Sequence, residues 1–188
     1  MTDAPQATRA AGRSNLDLRV GSILPAAILW SAVCATAAWS GLLHWQTESL
    51  RLVVVGIFAA GGLLALPAAF IAAYLVTRYH RLKTQAFAAF FVSLTIMTIG
   101  ATGMIFALVY RSYYAAWHAE TFSYVWFLQL AFTTASALYQ FATVGLRLYF
   151  PLGFVGLFLF SLWFARSFTL SQPASSATRQ RNISPKAG

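Results

Sequence analysis

The chain has 188 residues and a formal net charge of +9, and it is 59% hydrophobic but only 9% charged. Ordinary soluble domains carry about 25% charged residues, so this mixture lacks the polar surface that a soluble fold needs to cover its core. The surplus of Lys and Arg matches the cytoplasmic segments of membrane proteins. The aromatic residues lie inside apolar runs rather than between basic ones, which excludes nucleic acid as a partner.

Arg51 and Arg78 bound a stretch free of Asp, Glu, Lys and Arg, and so do Lys83 and Arg111. Each exceeds the roughly 20 residues a helix needs to cross about 30 Å of hydrocarbon. A membrane barrel would instead show short alternating segments. The expected fold is therefore all-α: a polytopic transmembrane helical bundle of five hydrophobic segments occupying residues 21–166. The lipid bilayer is its first partner.

Residues 1–20 are polar and Ala/Arg-rich, with Arg9, Arg13 and Arg19 outnumbering Asp3 and Asp17, and read as a disordered cytoplasmic tail. The first span, 22–43, contains a cleavage-like Ala35-Thr36-Ala37, but its length and the runs that follow favour an uncleaved helix. Cys34, the only cysteine, excludes an internal disulfide and reads as a small buried hydrophobe. The second span, 52–77, places Gly56, Ala60, Ala65, Ala69 and Ala73 at near-regular steps, a small-residue face on which helices approach closely. Pro67 is expected to kink it.

A basic turn holding Arg78, His80, Arg81 and Lys83 leads to the third span, 86–110, which carries Thr95, Thr98 and Thr102. A link with Tyr113, Tyr114, Trp117, His118 and Glu120 has the aromatic character of a headgroup interface. The fourth span, 122–146, carries Gln129, Thr133, Ser136, Gln140 and Thr143 at steps of four, three, four and three, with Arg147 in the same series. On a helix Gln129 and Gln140 lie about 20° apart, so these residues form one polar stripe. The fifth segment, 148–165, is Phe-rich and interrupted by Pro151, Gly153 and Gly156. Residues 167–188 read as a disordered basic tail.

With the N-terminus in the cytoplasm, the basic turn also lies inside, and the links holding Glu48 with Arg51 and Arg111 with Glu120 lie outside. Five crossings are the expected arrangement, although the fifth would put Arg166, Arg179, Arg181 and Lys186 outside, against the positive-inside rule; of these only Arg166 lies close to the membrane end, where that rule has most force. Two arrangements avoid that conflict. The last segment is re-entrant, or the segment 122–146 lies on the outer surface and the last segment is the fourth crossing. The Ala/Arg-rich tails point to a bacterial inner membrane.

Lipid cannot satisfy hydroxyl and amide groups, so both polar stripes are expected to face the bundle interior and bond to each other. The alternative use of the fourth-span stripe is to line a solute path. The spans hold no ionisable residue of the kind that marks ion-coupled transport or intramembrane hydrolysis. His44, Glu48, His118 and Glu120, on one side of the membrane, have the ligand types of a weak metal site. No cofactor is expected. The sequence thus favours a non-enzymatic accessory, assembly or scaffold subunit that binds a partner membrane protein or forms a homo-oligomer. A small-solute channel or carrier is the second reading, and an outer-face metal- or lipid-processing enzyme the third.

Overall fold

The structure is a computed structural model that describes residues 4–43, 48–77 and 83–169, with side chains described for 22–43, 48–77 and 84–166. Among the described residues there is no strand. The helices are α1 (Ala4–Gly41), α2 (Glu48–Thr77), α3 (Lys83–Tyr114), α4 (Tyr124–Thr143) and α5 (Leu152–Thr169). Two 3-10 turns, Ala115–Trp117 and Gly145–Tyr149, follow α3 and α4. In α1 the helix runs back to Ala4, through the stretch whose composition reads as a tail. The C-terminal tail from residue 170, His44 and the basic turn at 78–82 lie outside the described residues.

Among the described residues three stretches are each long and apolar enough to cross a bilayer: Ser22–Gly41, Glu48–Thr77 and Thr84–Trp117. They form two successive antiparallel hairpins with α2 between α1 and α3, and α2 packs extensively on both. Small residues bring the three backbones together. A Cβ on Gly61 would lie 2.8 Å from the Cα of Thr102 in α3, and one on Gly62 would lie 3.1 Å from the Cα of Ser31 in α1. Ala65, Ala69 and Ala73 are fully buried, as the small-residue spacing anticipates. Gly56 departs from that expectation: it is exposed, with open space where its Cβ would stand. The close face of α2 passes through Gly61 and Gly62, because α2 has to serve two neighbours.

The last two helices are not two more independent crossings of this kind. Tyr124–Tyr149 and Leu152–Arg166 meet at 72°, and they reach the length and apolarity of a span only as a pair. Their contacts fix where each begins and ends. Ser123 caps α4 by accepting from the Trp126 N–H at 3.1 Å, beside Trp117 and His118. From there α4 descends along α3 until Phe141 meets Gly103 and Phe106. The turn then seats Leu148 against Gly41, at the far end of α1.

From that point α5 runs down the seam between α1 and α3. Gly156 admits Val33 and Trp30 from α1, and Phe154 and Phe158 meet Phe91 and Phe87 of α3. At the bottom Phe164 stacks on Phe90 with centroids 4.3 Å apart and meets Phe70 of α2 edge-on. The C-terminus of α5 therefore lies at the same end of the bundle as residue 22, Thr77 and Thr84. Helix α4 starts and finishes in the opposite half.

Candidate functional site

The break between α4 and α5 leaves a crevice of about 270 Å³, bounded by Trp30, Thr95, Thr98, Ile99, Leu146, Tyr149, Phe150, Gly153, Phe154 and Leu157. Its walls are aromatic and aliphatic, and no lining residue is ionised at neutral pH. Gly153, at the start of α5, has no side chain to fill it, and Leu146 and Phe150 border it from the other side of the bend.

The polar groups of the crevice come from three elements. Trp30 in α1 donates its indole N–H to Thr98 Oγ1 in α3 at 3.1 Å. Both residues are buried, and such a bond is what a mid-helix indole requires when no water is present. The Tyr149 hydroxyl lies 2.7 Å from Thr102 Oγ1, tying the turn to α3. Thr95 is satisfied by its own helix, donating to the Phe91 carbonyl at 2.8 Å. Thr98, by contrast, accepts from Trp30 and has no acceptor for its own proton among the described residues. The Tyr149–Thr102 pair holds two protons and makes one bond, so one of those protons also has no acceptor among the described residues. An unpaired buried donor costs about 1–3 kcal/mol.

The α3 threonines thus occupy the bundle interior, where Thr98 and Thr102 are buried. Their partners are α1 and the 3-10 turn rather than α4. The stripe on α4 turns elsewhere. Ala137 and Phe141 take the side facing α3, and Ser136, Gln140, Thr143 and Arg147 are exposed. Relative to Ala137 the stripe is displaced by roughly 80° around the helix axis. The contact from the stripe to α3 is a long one, Gln140 Nε2 to the Tyr110 hydroxyl at 3.5 Å. Thr133 and Thr143 bond back to the carbonyls of Gln129 and Tyr139 on their own helix. Interlocking of the two stripes is thus replaced by two separate arrangements, because bulky Phe141 rather than a polar residue fits the gap at Gly103.

At the far end Gln129 Oε1 accepts from the Ala119 N–H at 2.8 Å and so braces the link between α3 and α4. Tyr114, Trp117, His118, Gln129 and Thr133 border a shallow recess there. His118 Nε2 is buried with no hydrogen-bond partner among the described residues. Arg111 lies over Trp126 at 5.5 Å, and Arg51 over Trp39 at 5.2 Å. Of the four candidate metal ligands, His44 is outside the described residues, Glu48 stands 3.9 Å from Arg51, and Glu120 is exposed. Among the described residues no group of three or more His, Cys, Asp or Glu side chains is close enough to hold a metal ion. Cys34 is buried against Gly62.

Sequence reasoning singled out Thr98 and Thr102 but missed Trp30 and Tyr149, which complete their environment. The available signal was position. Trp and Tyr favour the membrane interface, so a Trp centred in an apolar run needs an internal acceptor for its N–H. Comparison with family models, curated proteins and solved structures finds no match for this chain.

Proposed function

We propose that this is a bacterial inner-membrane protein that crosses the bilayer four times, with both tails in the cytoplasm, and that it acts as a non-enzymatic accessory or scaffold subunit. In this topology α1, α2, α3 and the turn with α5 make the crossings, and α4 lies in the outer leaflet. Placing Arg166 and the basic tail beside Arg78, Arg81 and Lys83 satisfies the positive-inside rule, which a fifth crossing would violate. An outer-leaflet position also gives Ser136, Gln140, Thr143 and Arg147 access to water and headgroups, which the hydrocarbon interior would deny them.

The observation that carries the accessory role is the standing of α4. It packs on α3 and on the following turn, with Ala137 and Phe141 as its buried residues. Its opposite face presents Phe132 and Tyr139, both 71% exposed. A helix held at one edge, apolar on its free face and polar along one side suits contact with a helix of another membrane protein. The channel reading has less support, since the α4 stripe and the α3 threonines point in different directions and enclose no common path.

Photo-crosslinkable residues at Phe132 and Tyr139 in native membranes test this reading. The expected result is a discrete adduct with another membrane protein at both positions. Adducts with lipid alone, or a product at twice the 20.6 kDa chain mass, would overturn the accessory role. Solute flux in liposomes containing this chain alone would favour the channel instead.

A further inference from the structure

We infer that the crevice at the α4–α5 break is a binding site for an uncharged, bilayer-soluble molecule that carries a carbonyl-type oxygen. The inference is independent of the accessory role and rests on three properties of the crevice. Its walls are apolar, with the rings of Trp30, Phe150 and Phe154 offering flat surfaces to a ring or chain. Its lining holds no Asp, Glu, Lys, Arg or His, so a charged ligand would have no counter-ion. Its polar groups are hydroxyls with protons to spare. Thr98 is 4% exposed and its Oγ1 already accepts from Trp30, which leaves its proton without an acceptor among the described residues. The Tyr149 hydroxyl also borders the crevice and makes one bond among the described residues, so with Thr102 as the donor the Tyr149 proton is left for a ligand.

What the spare hydroxyl protons lack is an acceptor, and a carbonyl brings one without adding a proton of its own. An alcohol or amine group can accept as well, but it brings a further proton that needs a partner of its own. The volume of about 270 Å³ takes a single substituted ring or a short length of acyl chain with its carbonyl, and not a whole lipid. Thr95 on the same wall is already bonded to its own backbone, so selectivity falls on Thr98 and Tyr149.

Two sources share this chemistry: the ester carbonyl of a membrane lipid, and a carbonyl-bearing ring compound dissolved in the bilayer. The full chain in nanodiscs of ester-linked or ether-linked phospholipid separates them, with a short-chain alkyl benzoquinone as the added probe and tryptophan quenching and the thermal midpoint as readouts. A ring-compound site gives saturable quenching and a raised midpoint in both lipids. A lipid-ester site gives a higher midpoint in ester than in ether nanodiscs without added probe, and weaker probe binding in ester lipid. Under either outcome Tyr149→Phe and Thr98→Val weaken the effect tenfold or more, Thr98→Ser retains it, and Ile99→Phe blocks it by occupying the crevice with both hydroxyls intact. Non-saturable quenching together with equal midpoints in the two lipids would overturn the site. So would an effect of unchanged size in both Tyr149→Phe and Ile99→Phe.

Discussion

Gly61→Ala isolates the contact on which the three-helix core depends. The added methyl would stand 2.8 Å from the Cα and Cβ of Thr102 and closer still to Oγ1. Carbon pairs settle at about 3.5–4.0 Å, so α2 and α3 have to part by about 1 Å. Because one of the colliding atoms is backbone, no rotamer change relieves it. Overpacking of this kind costs about 1–3 kcal/mol, and separation also weakens the packing of Ala65, Ala69 and Ala73. Alanine returns up to about 1 kcal/mol as the better helix former. The expected net loss is about 1–2 kcal/mol, a shift of roughly five- to thirtyfold in the unfolding equilibrium. Gly56→Ala keeps the favourable term alone and is expected to be neutral or slightly stabilising, since nothing stands near its Cβ. Unfolding in mixed micelles on SDS titration, followed by far-UV circular dichroism, measures both. Adding Thr102→Ala to Gly61→Ala removes Oγ1 but leaves Cα and Cβ in place, so it should recover less than half the loss. Equal stability of the two single variants would refute the α2–α3 packing described above.

A double-mutant cycle with Trp30→Phe and Thr98→Val should give a coupling of about 0.6 kcal/mol, and no more than about 1.7, read from the same titration. Ser136→Ala and Gln140→Leu should each change stability by less than about 0.5 kcal/mol, because both side chains are exposed and neither makes a short bond to another helix; a larger loss in the titration would place the stripe inside the bundle. Gln129→Leu removes the acceptor for the Ala119 N–H and should loosen the link between α3 and α4, seen as faster limited proteolysis there with the bundle intact. A reporter fused after residue 169 should report the same side as one at the N-terminus, and a reporter inserted in the link at residues 118–123 the opposite side.

The helical class and the first three apolar segments were legible because each is a long run without charged residues, the second and third bounded on both sides by Arg or Lys. So was the burial of Ala65, Ala69 and Ala73, since four-residue spacing keeps small residues on one face. The end of the chain was harder to read. Hydropathy measures whether a segment tolerates lipid, and residues 122–146 and 148–165 both do. Whether they cross depends on the 72° bend and on Leu148 meeting Gly41, a contact across more than a hundred residues that no local window reports. The α4 stripe was misdirected for a related reason. Periodicity places Gln129 through Thr143 on one face, but it is Phe141 that decides which face meets α3. For the metal candidates, matching residue types at one end of a bundle set no distances.

The seating of α5 has a bearing on how the chain is made. Translation delivers α1, α2 and α3 before α5 exists, so the seam that will receive Gly156, Phe160 and Phe164 stands open while the C-terminus is still in the ribosome. Anything apolar in the translocon's surroundings has access to that seam during the interval, and α5 must displace it. Completion of this protein is thus a competition for a ready-made slot, won by a segment tethered to it through α4 and therefore present at high local concentration.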